Sequence, residues 1–295
     1  MNRREELARL SARAAADLRI ARGYRRDVPV CPLHAATESG VLVWLAPIPS
    51  LEGMYCKDRG PSIIVSTERP LPRQAFTAGH ELGHHVFQHG TRADEYLEMP
   101  PATKGFDPEE FLADTFSSHF LMPPAAVRAG FNARGIAIAN SQPVDIYAVA
   151  TWLGVGYETL ITHLEMTLRL IPTSHADKLR RSSPKVIREE LLGRNLVPYL
   201  VIAGTFWSGR AIDLRVGDGV LVPPDSVQEG ERVTLQSSAV GERLAVAIRR
   251  GLGRIESPST GWSSFVRVMP KYFEGQSTFR FDEDPDENLG TDNDL

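Results

Sequence analysis

The sequence predicts an α+β protein, on three observations. Its first two thirds contain helix-period apolar spacing, interrupted by one short β-branched region. Two of those helices carry clustered His and acidic residues. From Val197 onward the texture changes to short strands separated by Gly and Pro turns.

Taken in order, residues 3–22 are rich in Arg, Ala and Leu and read as an amphipathic helix. A Pro- and Gly-punctuated stretch follows to about Pro70, with Ser62-Ile-Ile-Val-Ser66 as its clearest strand. Pro70 and Pro72 end that strand and open a helix. This helix contains Ala75-Phe-Thr-Ala-Gly-His80-Glu81-Leu-Gly-His84-His85. Positions i and i+4 of a helix lie one above the other, so His80 and His84 can offer two imidazoles to one metal ion. Glu81 lies about 100° further round. There a carboxylate can hold a water near the metal without ligating it, as a peptidase general base must. Phe76, Gly79, Gly83, Val86 and Phe87 form an apolar stripe beside the two histidines. The glycines cost roughly 1 kcal/mol each relative to Ala, a cost expected where another backbone approaches closely.

A catalytic zinc takes three protein ligands and keeps one open position. The segment from Glu109 to Pro123 reads as a second helix, acidic in its first turn and ended by Pro123-Pro124. Glu110 and Asp114 share a face, so Glu110 can ligate while Asp114 hydrogen-bonds a ligand histidine. Glu109 is the neighbouring alternative, but has no carboxylate four residues on. His119 falls on the opposite face, and His85 and His89 are expected at the surface or in packing roles.

At this point the chain resembles a family, the ImmA/IrrE-type metallopeptidases. The residues that carry the resemblance are Gly53-Met-Tyr-Cys-Lys with Ile63-Ile64-Val65, Phe76-Thr-Ala-Gly-His80-Glu81-Leu-Gly-His84, and Glu110-x-x-Ala113-Asp114-x-Phe116 with Leu121-Met122-Pro123. It covers roughly residues 5–165, and it implies a zincin-like fold with His80, His84 and Glu110 as ligands of Zn2+ and Glu81 as base. Mn2+ is compatible with the same N/O set. Asp114 stands where the family usually has asparagine, and Ser117 where it has alanine. The resemblance also implies a substrate, a helix-turn-helix repressor whose cleavage relieves repression after DNA damage or in phage-related settings. An anti-phage, CapP-like branch is one such setting.

Two residues before the Ile63 strand extend this site. Cys56 is a candidate for filling the open zinc position in a resting state, since thiolates bind zinc well. Tyr55 is a candidate oxyanion or substrate contact.

Further on, Val144–Leu160 reads as a helix, a Gly turn and a second helix to about Leu170, a helix-turn-helix-like arrangement. The second helix is poor in the Lys and Arg that phosphate contact favours. Next comes a linker-like basic stretch with Lys178, Arg180, Arg181, Lys185 and Arg188, the candidate contact for an activating single-stranded DNA. The expected strands beyond it are Tyr199–Ile202, Ala211–Arg215, Gly219–Val222, Arg232–Gln236 and Leu244–Ile248. With no His/Cys cluster or phosphate loop, this β-rich domain is assigned sensing or docking rather than chemistry.

The chain thus divides into a metallopeptidase domain over 1–130, a helical segment with basic linker over 131–195, and a β-rich regulatory domain over 196–280. An acidic tail over 281–295, expected to be disordered, completes it. The 33 basic residues stand against 37 acidic ones, seven of them after Phe281, so the remainder is net positive. No run approaches the ~18 apolar residues of a membrane span. The start lacks a signal-peptide core, and two dissimilar cysteines fit a reducing compartment. The expectation is a cytoplasmic enzyme with no membrane partner. The rival reading is a DNA-binding transcriptional regulator whose metal is structural.

Overall fold

In the computed structural model the described residues are 2–58, 60–95, 105–193 and 197–283. They divide into two units, one reaching Ser182 and including Glu274–Ser277, the other comprising 183–273 and the residues from Thr278.

The first unit opens with α1 (Arg3–Ala21), whose Asn2 side chain accepts from the Arg4 amide at 3.2 Å. A short α2 (Pro32–Glu38) leads into strands β1 (Leu42–Ala46), β2 (Leu51–Cys56) and β3 (Ser62–Ser66). Then come helix α3 (Leu71–Val86), strand β4 (Arg92–Glu95) and helix α4 (Pro108–Leu121). The sheet order is β1-β3-β2-β4, with β1 and β3 parallel, the other neighbours antiparallel, and Gly275–Gln276 added beyond β1. Among the described residues β4 therefore ends the sheet.

Two glycines of α3 decide how closely α4 crosses it. A Cβ on Gly83 would stand 3.0 Å from the Ala113 Cα, and one on Gly79 would stand 2.5 Å from the Ser117 hydroxyl. That hydroxyl donates to the Phe76 carbonyl at 2.8 Å, tying the two helices together at the crossing. Gly79→Ala is expected to push α4 outward and to cost about 1–3 kcal/mol, the range for overpacking. Ser117→Ala in the same chain should restore most of that loss in urea unfolding, because it removes the atom in the way.

α1 anchors α4 from the other side. The Ser11 hydroxyl donates to the Leu112 carbonyl at 2.6 Å, and the buried Arg19 guanidinium donates to the Phe120 carbonyl at 2.8 Å. The same guanidinium also reaches the Arg25 and Val28 carbonyls, both at 2.7 Å.

Beyond α4 lie α5 (Pro124–Asn132), α6 (Pro143–Leu153) and α7 (Tyr157–Thr162), the last continued by a π-helical turn over His163–Thr167. Gly154, at φ +77°, ends α6 in the left-handed conformation that favours glycine. The helix pair expected from sequence is thus present. The second of the pair turns Tyr157, Leu160, Ile161, His163 and Leu164 inward, and the His163 Nε2 lies 2.9 Å from the Met122 carbonyl. The stretch expected as a basic linker is helical instead, forming α8 (Thr173–Arg180) and α9 (Pro184–Leu192). Pro172, Ser183 and Pro184 start these helices, and the Ser183 hydroxyl caps α9 by accepting from the Val186 amide.

α9 belongs to the second unit, which is otherwise β-rich. Its strands are β5 (Leu200–Ile202), β6 (Ile212–Arg215), β7 (Gly219–Val222), β8 (Val227–Glu229), β9 (Val233–Ser237), β10 (Arg243–Ala247), β11 (Gly251–Ser257) and β12 (Trp262–Met269). They form two four-stranded sheets, β5-β7-β10-β9 and β6-β12-β11-β8. Each of the five runs expected from sequence forms a strand, while β8, β11 and β12 were not anticipated. Residues 284–295 of the acidic tail lie outside the described residues. Among the described residues no helix is long and apolar enough to cross a membrane.

Candidate metal centre

α3 and α4 bring His80, His84 and Glu110 together, with one ligand atom of each within 4.8 Å of the others. The Nε2 atoms of His80 and His84 are 3.0 Å apart, and the His80 Nε2 lies 3.3 Å from a Glu110 oxygen. Asp107 sets where Glu110 stands: its carboxylate caps α4, accepting from the Glu109 amide at 2.9 Å and the Glu110 amide at 3.5 Å. Glu109, the sequence's alternative, faces elsewhere and pairs with Arg92. Asp114 lies one turn beyond Glu110, with its carboxylate 2.9 Å from the His80 Nδ1. That contact fixes the proton on Nδ1 and leaves Nε2 free to ligate.

His84 has a matching neighbour that sequence reasoning placed outside the site. His89 is buried, and its Nδ1 lies 2.8 Å from the Nδ1 of His84. α3 ends at Val86, but Gln88 adopts φ +57° and the His89 amide donates back to the His84 carbonyl at 3.0 Å. This left-handed cap folds the chain under the helix and aims His89 at the histidine above. No helical spacing signals it, since the contact depends on one backbone dihedral. His89→Ala is expected to weaken metal binding about 10–100-fold, the usual cost of losing a partner behind a ligand. Competition against a chelator measures it.

The electrostatics suit a cation. Burial alone would lower the His80 pKa, but Asp114 and Glu110 outweigh it and raise it to about 10. Carboxylates around this imidazole stabilise positive charge, whether a proton or a divalent metal. Burial and the neighbouring His80 push the His84 pKa down, and a hydrogen bond with His80 holds the Glu110 carboxyl low. A neutral imidazole and an ionised carboxylate are the ligating forms.

Glu81 is the decisive residue. It is 1% exposed, and neither carboxylate oxygen has a hydrogen-bond partner among the described residues. Burial raises its pKa to about 8. Gly53 on β2 makes room for it, because a Cβ there would stand 2.7 Å from Glu81 Oε1 and 2.4 Å from the Thr77 Cγ2. A buried carboxylate without partners is costly. A metal-polarised water beside it would supply the missing donor, so the residues present fit a metal.

Other expected site residues fall elsewhere. Along β2, Gly53 and Tyr55 face α3, so strand alternation turns Cys56 to the opposite face. It joins neither group of metal-ligating atoms found among the described residues. The Tyr55 hydroxyl lies 3.1 Å from the Nδ1 of His85, not against either candidate ligand histidine. Of the basic residues, Arg180 contacts Glu165 at 2.8 Å and Glu158 at 3.5 Å, and Lys185 stands 3.9 Å from Glu189. Lys178, Arg180 and Arg181 belong to the first unit, Lys185 and Arg188 to the second.

Comparison with known proteins meets this geometry directly. Residues 36–165 match the family model of the IrrE N-terminal-like domain, Peptidase M78. Residues 36–165 are an ImmA/IrrE-type domain. The matched segment begins within α2 and ends in the π-helical turn after α7, so it holds strands β1 to β4, both helices of the candidate metal centre and the helix pair. No curated protein matches the chain. The ImmA/IrrE domain is a metal-dependent peptidase domain, and His80, His84 and Glu110 are its candidate metal site.

Proposed function

We propose that this chain is a zinc endopeptidase that cuts a partner helix-turn-helix repressor and so relieves repression. The observation that carries the peptidase part is Glu81, buried and unpartnered beside the three converging ligand atoms. His80, His84 and Glu110 would hold the metal, Zn2+ first and Mn2+ with the same donors. When bound, it supplies Lewis-acid polarisation of water and of the scissile carbonyl. Glu81 takes a proton from the attacking water and returns it to the nitrogen of the leaving amine. Asp114 and His89 keep the two imidazoles in their ligating tautomers. The walls around Glu81, from Gly53 and Thr77, exclude bulk water and sharpen each of these interactions.

The repressor substrate, the DNA-damage or phage-defence setting and activation by single-stranded DNA rest on the family resemblance and on the basic residues of α8 and α9. The test is an incubation of zinc-loaded protein with a helix-turn-helix repressor encoded beside its gene, with and without single-stranded DNA. Cleavage that is lost on zinc removal and returns on re-addition supports the reading. An intact repressor in every lane, with specific duplex binding instead, would move the assignment to a DNA-binding regulator built on α6 and α7.

A further inference from the structure

Two groups of ligand atoms meet at His80. One is His80, His84 and Glu110; the other is His80, Glu81 and Asp94, again with ligand atoms within 4.8 Å of one another. Asp94 lies on β4, directly opposite Gly53 in the ladder with β2. Opposed residues of paired strands send their side chains to the same face. For Gly53 that face is the one against Glu81 and Thr77. Asp94 therefore projects across the gap that the glycine leaves, and its Oδ2 stands 3.2 Å from the His80 Nε2. Asp114 already occupies the other nitrogen of that ring, so Asp94 addresses the metal-facing one. It does so from the side of the base, where the attacking water has to stand.

We infer that Asp94 is a fourth ligand to the metal, binding through oxygen between His80 and Glu81, so that it competes with water for the position beside Glu81 until β4 withdraws. This rests on the peptidase reading of the same centre. The set becomes two imidazoles and two carboxylates, suited to a divalent cation of zinc type. β4 is built to yield. Among the described residues it is the terminal strand of its sheet and pairs with β2 alone, with a register shift between Leu51 and Gly53. Two residues before Asp94, Arg92 contacts Asp107, Glu109 and Glu110 of the α4 start. Any force on the strand is thus felt at a ligand. An extended peptide pairing with this edge is the kind of partner that would move it.

Co2+ serves as the probe, with wild-type, Asp94→Ala, Asp94→Asn and His84→Ala full-length chains compared. Asp94→Ala should bind Co2+ at least about tenfold more weakly, since even losing a partner behind a ligand costs that much. Its visible bands should shift, and acetohydroxamate, which needs an open metal position, should bind it at least tenfold more tightly than wild type. Asp94→Asn, which keeps the shape and a carbonyl oxygen, should fall between. Identical affinity, bands and acetohydroxamate binding in wild type and Asp94→Ala overturn the inference while leaving the metal centre standing. If His84→Ala binds Co2+ as tightly as wild type, the metal assignment itself fails, and the role of Asp94 with it.

Discussion

Glu81→Gln is expected to lower peptide cleavage about 10²–10⁴-fold, the contribution of a positioned general base. Metal content should not change, because neither Glu81 oxygen belongs to the group formed by His80, His84 and Glu110. The amide keeps the shape of the side chain against Gly53 and Thr77. It cannot accept the proton. A second effect runs the other way: the buried carboxyl has no hydrogen-bond partner among the described residues, and with its pKa raised to about 8 the metal-free chain must either protonate it on folding or bury an anion, costs that a neutral amide does not carry. The metal-free variant should therefore melt at a higher temperature than the metal-free parent, a trade of stability for function. Metal analysis, kinetics and a melting curve on one preparation check all three. A variant that loses its metal along with its activity would make Glu81 a ligand and leave the base unassigned.

Arg19→Ala is expected to cost about 3–5 kcal/mol, as removal of one member of a buried polar cluster does. Arg19 is 2% exposed, and its guanidinium serves the carbonyls of Arg25, Val28 and Phe120. Burial lowers its pKa to about 10, yet it stays charged at neutral pH. The Phe120 carbonyl lies in the last turn of α4, where helix carbonyls lack internal partners and a cation is favoured. Truncation leaves three carbonyls without that donor and opens a void under the helix that carries Glu110. A loss of this size is a large share of the stability of an ordinary domain. Urea unfolding measures it, and metal affinity should fall in parallel, since α4 would no longer be held against α3. A change below 1 kcal/mol would mean that water satisfies those carbonyls.

Much of this was readable in the chain because it is local. Helix α1 was expected over 3–22 and spans Arg3–Ala21. The His80/His84 pair follows from a four-residue spacing, and the α6, Gly154, α7 succession from apolar periodicity and one glycine. Strands β5, β6, β7, β9 and β10 are β-branched runs between turn residues. β11 and β12 were not legible: Gly251-Leu-Gly and Trp262-Ser-Ser-Phe dilute the apolar pattern with small and polar residues. Those strands are specified by their mutual seven-residue pairing, which a single segment does not display.

By itself, then, the sequence determined the residue types and spacings of a candidate metal-binding helix pair, the α+β class and the change to β-strands near Val197. Local periodicity and capping encode these within a few turns of chain. Only the tertiary structure decided which carboxylates face which imidazole. It faced Cys56 away, brought His89 under His84 through one left-handed residue, and set Asp94 opposite Gly53, within reach of His80. Each depends on a backbone dihedral or a strand register that joins distant residues, and no spacing along the chain records either one.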